Sequence, residues 1–207
     1  MITKNQIKLI KSLKSKKNRK QSGFFVAEGE KIVDELLESD LDTVNIFSIS
    51  EKYKNFNNYI SINSTQLKQI SNLKSPNNVL GIFKIPSNNE IDFNANIIAL
   101  EEINDPGNLG TIIRLCDWFG IKNIICSKNS VDCYNPKVVQ SSMGSISRVS
   151  ISYTNLDNLI SSVNYNTVAA DLDGKNLNEY IFSKNQIIFF GNESNGFSQK
   201  VSSKIKN

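Results

Sequence analysis

The chain has 207 residues, 39% of them apolar, and a formal net charge of +4 with no histidine. That is enough apolar material for one large or two small packed domains, whereas the missing imidazole excludes Ser-His-Asp and Cys-His catalysis, HExxH metal sites and any histidine general base. No apolar run approaches the ~18 residues of a membrane span and the lysine-rich start lacks the core of a secretory signal, so a cytoplasmic location with no membrane partner is the default expectation.

The first twenty residues carry Lys4, Lys8, Lys11, Lys14, Lys16, Lys17, Arg19 and Lys20 and no acid. Ile7, Ile10 and Leu13 fall on one face of this stretch, which predicts an amphipathic helix with a cationic outer face. Two readings stand side by side: a surface for a polyanion, or a merely solvated one. FFVAEG then reads as a strand, KIVDELLES as a helix, VNIFSIS as a strand, STQLKQISNL as a helix and VLGIF as a closing strand. A small α/β domain over residues 1–84 is expected. Residues 85–95 are polar, contain a proline and lack helical period, as an interdomain linker does.

A second domain is expected over residues 96–207. NIIAL reads as a buried strand, followed by a helix to about Phe119, the strand KNIICS, and a helix capped by Asn135 with Pro136 in its first turn. The segment ISRVSIS, a helix near Leu156 to Val163 and the strands TVAAD and QIIFF complete the pattern. Short apolar strands joined by helical crossovers predict a parallel sheet, with ligands beyond the C-terminal strand ends. Cys116, Cys126 and Cys133 form no CxxC pair and read as free thiols, so no disulfide framework and no metal site is expected.

Three loops fall at those strand ends: EEINDPGNLGTIIR, DLDGKN and GNESNGFS. In the first, Gly107 and Gly110 permit close backbone approach, and amides at a helix start can meet an anion. Spacing alone favours Asn108 as the helix N-cap, and Arg114 reads either as a partner of Glu101, Glu102 or Asp117 or as a group left for a ligand. Glu193 stands between Asn192 and Ser194, flanked by Gly191 and Gly196, either directed into the cleft or solvated on a turn. Neither a GxGxxG dinucleotide fingerprint nor a phosphate loop ending in GK[ST] is present. The residues alone thus point to an α/β anion or nucleotide site.

Taken as a pair, NDPGNLGTIIR and IIFFGNESNGFS resemble the first and second motifs of the SpoU (TrmH-like) family of RNA ribose 2′-O-methyltransferases in the SPOUT superfamily. RKQSGFFVAEGEKIVDELL and SPNNVLGIF resemble the opening and closing segments of that family's L30e-like substrate-binding domain. The resemblance implies S-adenosylmethionine as methyl donor, structured RNA as acceptor (ribosomal more than transfer RNA), a trefoil-knotted parallel-sheet domain and a homodimer. It implies catalytic roles for Asn108, Arg114 and Glu193, cofactor contacts at Ala170, Gly191 and Asn192, and an RNA contact from Arg114, to which the basic start adds Lys11, Lys14, Lys16, Lys17 and Arg19 as expected RNA contacts. The family's third motif, with the helix threaded through the knot, is expected beyond GNESNGFS and is absent from these 207 residues. A non-catalytic RNA-binding protein of the same descent is the alternative implied.

Overall fold

The computed structural model describes residues 2–87, 91–162 and 164–205. Two compact units are present, one from the described residues of Met1–Ser87 together with Asp132–Ser147, the other from those of Asn88–Val131 and Arg148–Asn207. The sequence assigned residues 132–147 to the second domain, but they cluster with the first unit. Of the linker at 85–95, residues 88–90 lie outside the described residues. Its later part packs on the second unit, where Ile91 and Phe93 meet the core and the Tyr165 hydroxyl donates to the Phe93 carbonyl.

The first unit opens with two helices where the sequence predicted one: α1 (Lys4–Ser12) and α2 (Lys16–Ser22). Thr3 and Gln6 form a reciprocal capping box at the start of α1, and Gly23, at φ 73°, ends α2 in the left-handed conformation a glycine adopts without strain. A four-stranded sheet follows, built from β1 (Phe24–Glu28), β2 (Thr43–Ser48), β3 (Tyr59–Ser61) and β4 (Val79–Lys84) in the order β1-β4-β2-β3. β4 runs antiparallel to both neighbours, and β2 and β3 are parallel. The helices α3 (Glu30–Leu37) and α4 (Ser64–Ile70) complete the α/β alternation. Ile10 and Leu13 bury against Val26, Phe47, Leu67, Ile70, Leu80 and Ile82. At roughly 1.5–3 kcal/mol per fully buried aliphatic side chain, this apolar face fixes α1 and turns its lysines outward.

The second unit is a five-stranded, wholly parallel sheet: β5 (Ile97–Leu100), β6 (Asn123–Ser127), β7 (Ser150–Thr154), β8 (Asn166–Ala169) and β9 (Gln186–Phe190), in the order β7-β6-β5-β9-β8. All four residues of the central β5 are buried, the pattern of a strand covered on both faces. The chain steps from β5 through β6 to β7 on one side and fills the other side with β9 and β8. The order therefore reverses beside β5, and the loops after β5 and β9 meet at that switch point. Helices α5 (Pro106–Trp118), α7 (Leu156–Ser162) and the short α8 (Gln199–Ser202) belong to this unit, and α6 (Pro136–Ser142), capped by Asn135 as expected, belongs to the first.

Candidate active site

The helix after β5 starts inside the motif. Asp105, not Asn108, is its N-cap: Asp105 Oδ1 accepts the Asn108 N–H at 2.9 Å and Pro106 takes the first helical position. The Asp-Pro pair carried that signal, because a carboxylate accepts from the third residue on and proline has no amide to leave unpaired. Gly107 is explained by the same cap, since a Cβ there would lie 2.9 Å from Asp105 Oδ1.

Freed from capping, the Asn108 side chain reaches the other loop. Its Nδ2 donates to Glu193 Oε1 at 2.7 Å, joining the loops after β5 and β9 across 85 positions of sequence. Both side chains are exposed. Arg114, six residues further along α5, is also exposed, and among the described residues no carboxylate pairs with it. Of the two readings of Arg114, the pairing with Glu101, Glu102 or Asp117 is not formed. Asp117 instead accepts from Arg148 Nε at 2.8 Å, Glu102 accepts from Asn129 and buried Glu101 accepts from Ser198. Among the described residues, the helix that carries Asn108 thus presents the Arg114 guanidinium without a carboxylate partner.

The loop after β9 closes on itself. Asn192 and Gly196 exchange backbone hydrogen bonds at 3.0 and 2.9 Å, and the Asn192 side-chain oxygen accepts the amides of Ser194 and Asn195. A Cβ on Gly191 would lie 2.6 Å from the Gly196 carbonyl carbon, so this glycine is required by the turn itself. Ala170 and Gly191 directly follow the neighbouring strands β8 and β9, and the Ala170 amide donates to Phe189 O at 3.0 Å. Near them in the sequence, Phe190 is partly open and Leu172 fully exposed. Small side chains and main chain at these adjacent strand ends, next in sequence to the exposed Phe190, are chemically compatible with a planar heterocycle at Ala170 and Gly191.

Glu101 and Glu102, read from the sequence only as candidate partners of Arg114, organise this end of the sheet with Ser198 and Ser127. Glu101 receives both the amide and the hydroxyl of Ser198, at 3.0 and 2.7 Å, which holds the far end of the β9 loop. Glu102 has φ 52°, its amide donates to Ser127 Oγ at 2.9 Å, and its carbonyl accepts from Asn192 Nδ2 at 2.8 Å. A cleft of about 250 Å³ opens at the ends of β5, β6 and β7, lined by Glu101, Glu102, Ser127, Thr154, Ser198 and Lys200 among others. It does not include Asn108, Arg114, Ala170, Gly191, Asn192 or Glu193. No group of three or more metal-ligating side chains occurs among the described residues. Burial pushes the thiols of Cys116 and Cys126 up to about 12, so neither is a ready nucleophile.

In the first unit Lys11, Lys14, Lys16 and Lys17 are exposed, together with Lys4, Lys8 and Lys20. Arg19 is not part of that surface, which corrects its expected RNA contact. Only 2% exposed, its guanidinium donates to Asp132 Oδ2, 3.0 Å from Nε, and to the carbonyls of Leu13 and Lys14, both at 2.8 Å. A planar fork of five donors satisfies a carboxylate and two frayed helical carbonyls at once, which a lysine does not do.

Residues 95–207 match the family described as SpoU rRNA Methylase, and residues 4–81 match an MRM3-like substrate binding domain. The mitochondrial rRNA methyltransferase 3 of Xenopus laevis is 31% identical over 167 residues, 72% of this chain and 39% of the relative. The chain thus spans about two fifths of that relative's length. The 23S rRNA (guanosine(2553)-2′-O)-methyltransferase RlmP of Bacillus subtilis is 25% identical over 93% of this chain and 82% of its own. An AdoMet-bound rRNA methyltransferase from Sinorhizobium meliloti superposes with a TM-score of 0.84 at 26% identity, covering 99% of this chain and 84% of that one.

Proposed function

We propose that this chain, which belongs to the SpoU rRNA methylase family, methylates a ribose 2′-hydroxyl of structured RNA with S-adenosylmethionine as donor. The observation that carries this reading is the Asn108–Glu193 hydrogen bond, which joins the two family motifs at the switch point of the sheet, on the helix that also carries Arg114. The Bacillus subtilis relative, by its name, acts at a 2′-oxygen of ribosomal RNA, and the Sinorhizobium meliloti structure contains AdoMet. Both support the finer assignment.

When bound, S-adenosylmethionine supplies a sulfonium methyl to an attacking oxygen. The main chain at Ala170, Gly191 and Asn192, with the open apolar surface of Leu172 and Phe190, would hold its adenosine end. Arg114 holds an RNA phosphate, whose oxygens the planar guanidinium matches in fork geometry. Asn108 and Glu193 orient the ribose, and the proton of its 2′-hydroxyl leaves through the phosphate that Arg114 grips. Much of the acceleration comes from this alignment, because a reactant held in an attack geometry needs no further loss of freedom.

Lys11, Lys14, Lys16 and Lys17 give affinity for the RNA backbone without sequence choice. Discrimination against DNA follows from the acceptor oxygen itself, which deoxyribose lacks. Ribosomal RNA is the preferred substrate class, on the strength of the relatives' names and the matched substrate-binding domain. A homodimer is the proposed assembly: Trp118, 84% exposed, Phe119 and Leu115 lie open at the end of α5, apolar area that a second copy would cover. A cytoplasmic location is kept as the companion proposal, supported by three buried free cysteines.

The test is methyl transfer from labelled S-adenosylmethionine to ribosomal RNA by the 207-residue chain, with the product mapped for 2′-O-methyl nucleotides and a DNA of the same sequence as control. Label confined to RNA ribose is expected. Label on a base, or none with S-adenosylhomocysteine binding in calorimetry, overturns the ribose assignment.

A further inference from the structure

Nothing in the motif reading explains why Asn192 is an asparagine, since the cofactor contacts inferred at that position use main chain. Every hydrogen-bonding direction of its amide but one is occupied within the protein. Oδ1 accepts the Ser194 amide at 2.9 Å and the Asn195 amide at 3.0 Å, and Nδ2 donates to the Glu102 carbonyl at 2.8 Å. The first two bonds shape the turn. The third leaves the turn and reaches the strand end of β5, 90 positions earlier.

The receiving carbonyl is aimed by an unusual backbone. Glu102, not a glycine, is held at φ 52°, a conformation that costs an L-residue on the order of 1–2 kcal/mol. Its amide is tied to Ser127 Oγ at the end of β6 and its carboxylate to Asn129 Nδ2 just beyond, so the ends of β5 and β6 together hold the residue that faces Asn192. Strain maintained at such a point indicates that its surroundings impose it. Glu193 follows Asn192 directly, and its carboxylate is the group that meets Asn108.

We propose that Asn192 is a positioning residue: through the Glu102 carbonyl it fastens the β9 loop to β5 and thereby sets Glu193 against Asn108. The proposal rests on the methyltransferase reading for its consequence in turnover, but not for its geometry. Asn192→Asp is the informative variant, because a carboxylate still accepts the two turn amides and no longer donates to Glu102. An ångström of misplacement at a reacting centre can cost about 10²-fold in rate. The expected result is a fall in kcat of at least about tenfold with KM for RNA and affinity for S-adenosylhomocysteine retained.

The same variant is crystallised to read the Asn108–Glu193 contact directly, and exchange of the Ser194 and Asn195 amides is followed by mass spectrometry. Loss of the contact with the turn amides still protected supports the proposal. Wild-type kcat, a contact that persists, or a parallel loss of cofactor affinity and amide protection each overturns it, the last because the side chain would then only hold the turn. Should the unsubstituted chain transfer no methyl group, the ribose reading fails, and the crystallographic contact still decides this one.

Discussion

Asn108 Nδ2 lies 2.7 Å from Glu193 Oε1, a bond between the first turn of α5 and the loop after β9. The two residues are 85 positions apart, and both are exposed, so their pairing contributes little to stability in water. A link of this kind persists for what it positions. Replacing either residue by alanine should lower methyl transfer by about 10²-fold, and the double variant should lose no more than the worse single one, as for groups acting as a unit. Thermal midpoints should stay within a few degrees of the parent. Multiplying losses in the double variant would show that the two act separately.

Arg114 offers a second handle, because no carboxylate among the described residues neutralises it. Arg114→Lys keeps the charge and loses the fork, so a phosphate held by two parallel bonds is released from its angle. Turnover should fall at least about tenfold while S-adenosylhomocysteine affinity, read by calorimetry, is unchanged. Near-normal turnover would remove Arg114 from the reaction.

The basic helices separate affinity from fold. Changing Lys11, Lys14 and Lys16 together to glutamine should weaken RNA binding and flatten its dependence on salt by about two to three in log-log slope, at roughly 0.7–0.9 per phosphate neutralised. An unaltered slope would exclude this face from the RNA. Arg19→Gln tests the opposite case: leaving Asp132 uncompensated should cost about 3–5 kcal/mol of stability, measured by urea denaturation.

The buried thiols set a pH limit. Cys116 and Cys126 are raised to about 12 in the folded chain, against an ordinary value near 9, because burial disfavours the thiolate. Below pH 9 both states keep the proton and nothing changes. Between pH 9 and about 12 only the unfolded chain releases it, so stability should fall with rising pH, by up to ~1.4 kcal/mol per unit for each thiol. Substituting serine would confound packing with ionisation, so Cys126→Ala is the cleaner comparison. A denaturation midpoint flat across this window would contradict the burial of these groups.

Most elements of the fold were legible along the chain. The alternation of short apolar strands with amphipathic helices predicted two α/β units and a parallel second sheet, because periodicity reports which face of a local element is buried. The split of the basic start into α1 and α2, the short strand β3 and the transfer of residues 132–147 to the first unit were not legible. A three-residue strand carries no period, and membership of a packed unit depends on contacts between distant segments, such as the Tyr134 ring 4.9 Å from Phe25.

The same division runs through the candidate site. The absence of histidine excluded imidazole chemistry, and the roles of Asn108, Arg114 and Glu193 came from the resemblance of their two motifs to a known family, since type and spacing alone favoured a cap, an ion pair and a turn. Which of several possible partners each would take was decided only in three dimensions. Asn108 was offered a cap and gave it to Asp105, Arg114 was offered three carboxylates and pairs with none among the described residues, and Arg19 was offered solvent and is buried on Asp132. Local spacing fixes which groups can be near one another on one element. Partners brought from another strand end compete for the same donors at no cost in local geometry, and only the closed sheet determines which of them arrives.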